Sequence, residues 1–325
     1  MPLSNDILIR VNNLTRRFAR CEALAAVSFE AVRGEIIGLL GPNGSGKTTT
    51  LRILSGYLAP TCGEVEMAGM DITAHSLDVR KKIGYLPESV PLYPEMKVEE
   101  YLLFRGRIKG LKKTRLFSRL RDVVDQCGLG EVLHRTIGNL SRGFRQRTGL
   151  ADCLIHEPEI LLLDEPLVGL DAAQTHLIRE LLLDLREGRT LLFSTHMLCE
   201  AERLSNRVLI LNGGRTAALD APDALLRAAR RLQADIQAPL GDVKNALESL
   251  EGGREARLSE KDDGWTRLSL PADGAPLPAG LEEWAARRQW PLRNLAYDAP
   301  TFDELFLRLT TLPPKVRNPK RRKSP

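Results

Sequence analysis

No apolar run in the chain approaches the ~20 residues that a membrane-spanning helix needs, so the chain does not read as a membrane protein by itself. Nothing near the N-terminus reads as a secretory leader either. Asp6 falls within the first ten residues and no long apolar core follows it. Cysteine is sparse: Cys21, Cys62, Cys127, Cys153 and Cys199 are scattered, odd in number and form no C-x-x-C. That argues for a reducing compartment and against a zinc site. There is no internal repeat and no heptad pattern. A basic face is also missing, although the net charge is +5. Six of the cations (Lys315, Arg317, Lys320, Arg321, Arg322 and Lys323) sit in the last eleven residues, which hold no acid. Leaving them out turns +5 into −1, so the body is nearly neutral and the basic character belongs to the tail.

What is present is a chain of 325 residues, 43% of them hydrophobic. That is enough for about two domains with proper cores. Residues 1 to about 218 alternate short apolar strands with helical stretches. The runs Ile160-Leu161-Leu162-Leu163 and Thr190-Leu191-Leu192-Phe193 have strand length and no polar alternation. Such runs fit a sheet covered on both faces. From about 96 to 155 the pattern turns helical, with Val98, Tyr101, Leu102 and Ile108 and then Val123, Val124 and Cys127 at helical spacing. Arg207 to Arg215 reads as a strand turning on Gly213-Gly214. The expected fold is α/β, with this helical insert inside its core.

After about 219 the composition changes. Strands near 232–237, 254–259, 265–270 and 292–297 and helices near 242–250 and 279–289 are expected. Their order is βαββαβ, the split βαβ or ferredoxin-like arrangement of a small α+β domain over 219–312. Thr301, with Glu304 three residues on and Leu305, Phe306 and Leu309 beyond, predicts a capped last helix. The tail over 313–325, rich in proline and charge, is expected to be disordered.

The most specific motif is Gly41-Pro42-Asn43-Gly44-Ser45-Gly46-Lys47-Thr48, followed by Thr49. It fits G-x-x-x-x-G-K-[ST] and lies between an apolar strand at 35–40 and a helix. That setting is the one in which this loop wraps a nucleotide's phosphates. Glycines let several amide N–H groups converge on one phosphate, and the helix N-terminus adds partial positive charge. Lys47 is expected on the β- and γ-phosphates and the Thr48 hydroxyl on Mg²⁺. Downstream, Leu161-Leu162-Leu163 ends on Asp164 and Glu165. The first carboxylate suits Mg²⁺ and the second suits the attacking water.

Leu140-Ser141-Arg142-Gly143-Phe144-Arg145-Gln146-Arg147, with Ser141 23 residues before Asp164, resembles the signature segment of the ATP-binding cassette (ABC) ATPases, usually LSGGQ. Arg142 and Phe144 depart from it in the manner of the type-2 exporter and gliding-motility-like branch. The resemblance is dense over 7–218 and loose beyond. It implies a P-loop NTPase core, ATP and Mg²⁺ as ligands, and ATP hydrolysis. It places Phe18 on the adenine ring, a core phenylalanine being the other reading. It places Glu88 where a glutamine usually meets Mg²⁺ and water, Asp171 in the loop crossing between cassettes, and His196 on the γ-phosphate. The Leu167 and Val168 that precede Gly169 depart mildly from the usual residues of that loop. Ser141 and Gly143 would bind ATP held by a partner cassette, another copy in a homodimer or a similar chain.

The function so implied is the ATPase subunit of a transporter, cytoplasmic and peripheral on the inner face of the cell membrane. It would power separate integral membrane permease subunits, which the resemblance brings to Pro91-Leu92-Tyr93-Pro94, an ordinary surface loop being the other reading of that segment. A soluble ABC ATPase acting on nucleic acid or ribosomes is the alternative, disfavoured by the single cassette and the nearly neutral body. A nucleotide-gated regulator with a ligand-binding C-terminal domain is a third reading, without a ligand motif to support it.

Overall fold

The computed structural model describes residues 7–19, 21–247, 255–272 and 281–311. The basic tail, the first six residues and parts of the segments expected at 242–250, 254–259 and 279–289 lie outside that range. The chain divides into two compact units, Met1–Leu219 with Leu309–Pro325, and Asp220–Arg308.

In the first unit, β1 (Ile7–Phe18) and β2 (Cys21–Val32) pair antiparallel. Then come β3 (Ile36–Leu40), α1 (Lys47–Leu54), β4 (Cys62–Met67), β5 (Met70–Asp71), α2 (Ser76–Lys81) and β6 (Ile83–Leu86). The insert supplies α3 (Val98–Ile108), α4 (Lys113–Gln126) and α5 (Arg142–Leu154). The chain returns through β7 (Ile160–Asp164), α6 (Ala172–Leu185), β8 (Thr190–Ser194), α7 (Leu198–Leu204), β9 (Arg207–Asn212) and β10 (Arg215–Asp220). One sheet runs β2-β1-β4-β5 and the other β10-β9-β3-β8-β7-β6, with β9, β3, β8, β7 and β6 parallel.

The apolar runs explain the second sheet. Successive side chains of a strand point to opposite faces. Leu161 and Leu163 of β7 enter one core with Leu191, Phe193 and the insert's Leu102, Val123 and Leu150. Ile160 and Leu162 enter the other with Leu192, Ile37 and Leu39. Both faces are covered, so no polar alternation is left to see. The antiparallel sheet of the first seventy residues corrects the expected alternation of short strands with helices. Its two long strands were hidden because register shifts interrupt their pairing at Val11/Leu14 and Leu14/Arg16. Asn13 and Ala26, at φ 50° and 56°, mark the irregularities, and bulges erase the two-residue period. Ile108 closes α3, as its helical spacing implies, and is 60% exposed.

The second unit follows with α8 (Pro222–Ala229), β11 (Arg231–Ile236), α9 (Leu240–Ala246), β12 (Arg257–Glu260), β13 (Thr266–Pro271), α10 (Leu281–Ala286) and β14 (Leu292–Asp298), and α11 (Phe302–Thr311) ends the described chain. Sheet order is β12-β13-β11-β14, every neighbour antiparallel. Strands β11 and β12 therefore run the same way with β13 between them, the split βαβ of a ferredoxin-like sheet. Leu232, Ile236, Leu268, Leu270 and Trp284 form its core. The capping box of α11 is formed reciprocally: the Thr301 N–H donates to Glu304 Oε2 at 3.0 Å and the Glu304 N–H to Thr301 Oγ1 at 3.3 Å. Among the described residues no helix is long and apolar enough to cross a membrane.

Candidate functional site

Four neighbouring parallel strands, β3, β8, β7 and β6, release their chains at one edge of the sheet. Ligands of open α/β sheets bind outside such carboxyl ends. The loop after β3 carries Gly41 to Lys47, β7 ends on Asp164, His196 follows β8 and Glu88 follows β6. A cavity of about 440 Å³ opens there. The phosphate loop contributes Asn43, Gly44, Gly46, Lys47, Thr48 and Thr49, and the other strand ends contribute Glu88, Asp164, Glu165 and His196. Ala23 and Val168 also line it. The sequence reading missed Ala23 and took Val168 only as a departure in the crossing loop, because a short apolar side chain leaves no pattern to find.

The loop's shape requires its glycines. Gly46 has φ 107°, and a methyl group there would lie 2.7 Å from the Ala23 carbonyl. Gly41, at φ 150°, would meet the Leu211 carbonyl at 2.3 Å. From Gly46 the chain enters α1, whose first backbone bond runs from the Thr50 N–H to the Gly46 carbonyl at 2.8 Å. Among the described residues the N–H groups of Lys47, Thr48 and Thr49, which open α1, have no backbone acceptor one turn back and are available to an anion. Lys47 folds over the loop and donates from Nζ to the carbonyls of Gly41 at 2.7 Å and Pro42 at 3.3 Å. Burial pushes its pKa below the ordinary 10.5, opposed by the charges of Glu165, Asp164 and Glu88. Pro42 and Ser45 shape the loop without lining the cavity; Ser45 is buried, and its N–H donates to the Pro42 carbonyl at 3.1 Å.

Asp164 is buried at the end of β7. Its Oδ1 accepts from Ser194 Oγ at 2.6 Å and from Thr48 Oγ1 at 3.3 Å. Its Oδ2 is buried with no hydrogen-bond partner among the described residues. Ser194, absent from the sequence-based site, lies opposite Asp164 in the parallel register of β7 and β8. It also accepts from the Glu165 N–H at 2.9 Å. Glu165 holds φ at 51°, a conformation costly for a side-chain-bearing residue. Its Oε2 lies 2.9 Å from His196 Nδ1. An ionised carboxylate only accepts, so Nδ1 carries the hydrogen.

The remaining candidates lie elsewhere. Phe18 is 46% exposed at the end of β1, with the Arg16 guanidinium 4.7 Å from its ring centre, and it does not line the cavity. Ser141 and Asp171 are helix N-caps. Ser141 accepts from the Phe144 N–H at 3.4 Å to start α5, and Asp171 from the Gln174 N–H at 2.8 Å to start α6. Gly143 is covered by Gln174 of the same chain.

Comparison with known proteins shows the family of the chain. The ABC transporter family model matches residues 24–168. The Nod factor export ATP-binding protein I of Ralstonia nicotianae is 33% identical over 93% of this chain and 94% of its own length. A solved ATP-binding subunit of an ABC transporter superposes with a TM-score of 0.64 at 30% identity, over 68% of this chain and 92% of that one. A dimeric ATP-binding cassette with ADP and Pi bound after hydrolysis gives 0.61 at 25% identity, over 66% of this chain and 98% of that one. Likeness across almost the whole length to a transporter subunit favours the transport reading over one centred on nucleic acid or ribosomes. With the phosphate loop, Asp164 and Glu165 brought to one cavity, the chain belongs to the ABC transporter family as an ATP-binding, ATP-hydrolysing subunit.

Proposed function

We propose that the cavity holds the triphosphate of ATP and that Glu165 directs the water that cleaves it. The loop's N–H groups and Lys47 take the β- and γ-phosphates. Phe18, exposed at the end of β1, stacks on adenine. The carboxylate of Glu165 accepts the proton of a water attacking the γ-phosphorus, the bond to the bridging oxygen breaks, and ADP and phosphate remain. His196 orients Glu165 from one side and meets the γ-phosphate from the other. Glu88, which lines the same cavity, would meet the water and the cation. The observation that carries this reading is Glu165 itself. It is held in a strained backbone by Ser194 and hydrogen-bonded to His196, in the same cavity as Lys47 and Asp164.

The residues fit Mg²⁺. This ion takes one or two protein oxygens and fills its other positions with phosphate and water. The Thr48 hydroxyl and the unpartnered Oδ2 of buried Asp164 supply that kind of donor set. Bound there, Mg²⁺ neutralises charge on the phosphates.

Donors are needed on every side of the γ-phosphate, and one loop cannot surround it. Ser141, Gly143 and Asp171 lie outside the cavity of their own chain, as a role at a partner's nucleotide requires. The working unit is then a pair of cassettes, a homodimer or a pair with a similar chain. It drives integral membrane permease subunits from the inner face of the cell membrane. A groove of about 630 Å³, lined by Arg52, Tyr57, Tyr85, Pro91, Arg105 and Lys109, suits that contact. Tyr93 and Phe104 stand half exposed and edge to face at 5.9 Å.

Glu165→Gln tests the reading. The variant should bind ATP, form an ATP-dependent dimer by light scattering and lose about 10²–10⁴-fold in turnover. Hydrolysis at the parent rate would remove Glu165 from this role.

A further inference from the structure

Two glycines and two long side chains join the start of α5 to the segment after Glu165. A methyl group on Gly143 would lie 2.1 Å from Oε1 of Gln174, so the Gln174 carboxamide rests on bare backbone. A methyl group on Gly169 would lie 2.4 Å from Nε of Arg142, so Arg142 rests on Gly169 in the same manner. The contacts are reciprocal: α5 covers the glycine of the crossing loop, and α6 covers the glycine of α5. Gly169 holds φ at 76°, which a side chain would strain. Between the two contacts, Gln146 Nε2 donates to the carbonyl of Pro166, the residue after Glu165, at 3.4 Å. The Gln174 N–H also holds Asp171 Oδ1 at 2.8 Å, so this residue fixes both its own helix start and its neighbour's.

The geometry points to a clasp in which Arg142 and Gln174 are positioning residues. They set the Ser141–Phe144 surface relative to Glu165, so that the nucleotide state of one cassette reaches the surface it offers the other. The inference rests on the reading that Ser141 and Gly143 meet a partner's nucleotide. It accounts for Gly143 within one chain, because the Gln174 contact needs that bare backbone whether or not a phosphate approaches. Arg142 is exposed and Gln174 half-buried. Truncating them opens no core cavity, while buried Gln146 keeps the helix in place. Among the described residues Ser141 Oγ is committed only to its 3.4 Å cap contact, so its position depends on what holds the segment around it.

The test uses Gln174→Ala and Arg142→Ala in the full chain, each alone and combined with Glu165→Gln. Melting temperature and affinity for a fluorescent ATP analogue, measured too dilute for pairing, should match the parent. The protein concentration at which ATP produces a dimer in the Glu165→Gln background should rise about two- to thirtyfold, the range carried by such contact networks. Turnover should fall with KM unchanged. The clasp is wrong if both variants dimerise at the parent's concentration and turn over at its rate. It is equally wrong if the loss is matched by lower melting or weaker binding in the dilute protein. Failure of Glu165→Gln alone to pair would instead bring down the underlying reading, and the clasp with it.

Discussion

At the scale of single residues, Ser194 shows how much of the site depends on a side chain that touches no phosphate. Its hydroxyl donates to Asp164 Oδ1 at 2.6 Å and accepts from the Glu165 N–H at 2.9 Å. One atom thus aims the carboxylate expected on the cation and supports the strained backbone of its neighbour. The Ser194 carbonyl, at 3.2 Å, is a second acceptor for that N–H, so Ser194→Ala strips Asp164 more than Glu165. The expected cost is about 1–3 kcal/mol of stability for the buried group left unmatched. The Mg²⁺ concentration that half-saturates hydrolysis should rise ~10- to 100-fold, the usual effect of losing a partner behind a metal ligand. Calorimetry and a Mg²⁺ titration of ATPase activity check both. A variant with parental melting and parental Mg²⁺ dependence would leave Ser194 as mere packing. The sequence could not mark this serine. Lys47, Asp164, Glu165 and His196 are legible because each sits at a fixed distance from a strand end and carries its own chemistry. Ser194 matters only because β7 and β8 are neighbours in register. Gln174 is hidden likewise, since its contact is with a glycine on another helix.

At the scale of elements, the same rule divides what was readable from what was not. Helices α3 to α5 and the buried strands β7 and β8 follow from composition and period. Strands β1 and β2 do not, because bulges break the period on which such reading rests. The junction of α5 with β6 carries a further device. His156, just past α5, donates from Nε2 to the Ile83 carbonyl at 3.0 Å, while its Nδ1 is buried without a hydrogen-bond partner among the described residues. A proton on Nδ1 would place a charge there with nothing to receive it. Burial, helped by the nearby charge of Lys109, pushes the pKa down from 6.5 to about 4. The unfolded chain therefore takes up a proton as pH falls below about 6.5 while the folded chain does not. Stability is lost through that window and levels off near pH 4, by about 3 kcal/mol for this group. His156→Gln keeps an N–H donor and cannot be charged. Its denaturation midpoint should change less than the parent's between pH 6.5 and 4. Parallel curves would show that another group governs this limb.

At the scale of the whole molecule, each unit has its own hydrophobic core and its own means of being stabilised. The nucleotide cavity lies wholly in the first. In the second, buried Asp235 accepts from Arg267 Nε at 2.8 Å and from Asn294 Nδ2 at 2.8 Å. The Arg267 bond, and then the Asn294 bond, outweigh desolvation and hold its pKa at about 2 instead of 3.8. A depressed carboxylate stabilises the fold above its unfolded pKa and loses that effect as pH falls from about 3.8 to 2, an amount of about 2 kcal/mol. Domains with separate cores need not unfold in one step. Calorimetry of the full chain at neutral pH should then resolve two transitions. Mg·ADP at a hundred times its Kd adds about 2.7 kcal/mol to the unit that binds it and should raise only one of them. Asp235→Asn should lower only the other, by ~10 °C for a domain of this size. That deficit should shrink as pH falls toward 2 and vanish below it, where the parent carboxyl is itself protonated. A single transition shifted by both treatments would mean that the two cores unfold as one body.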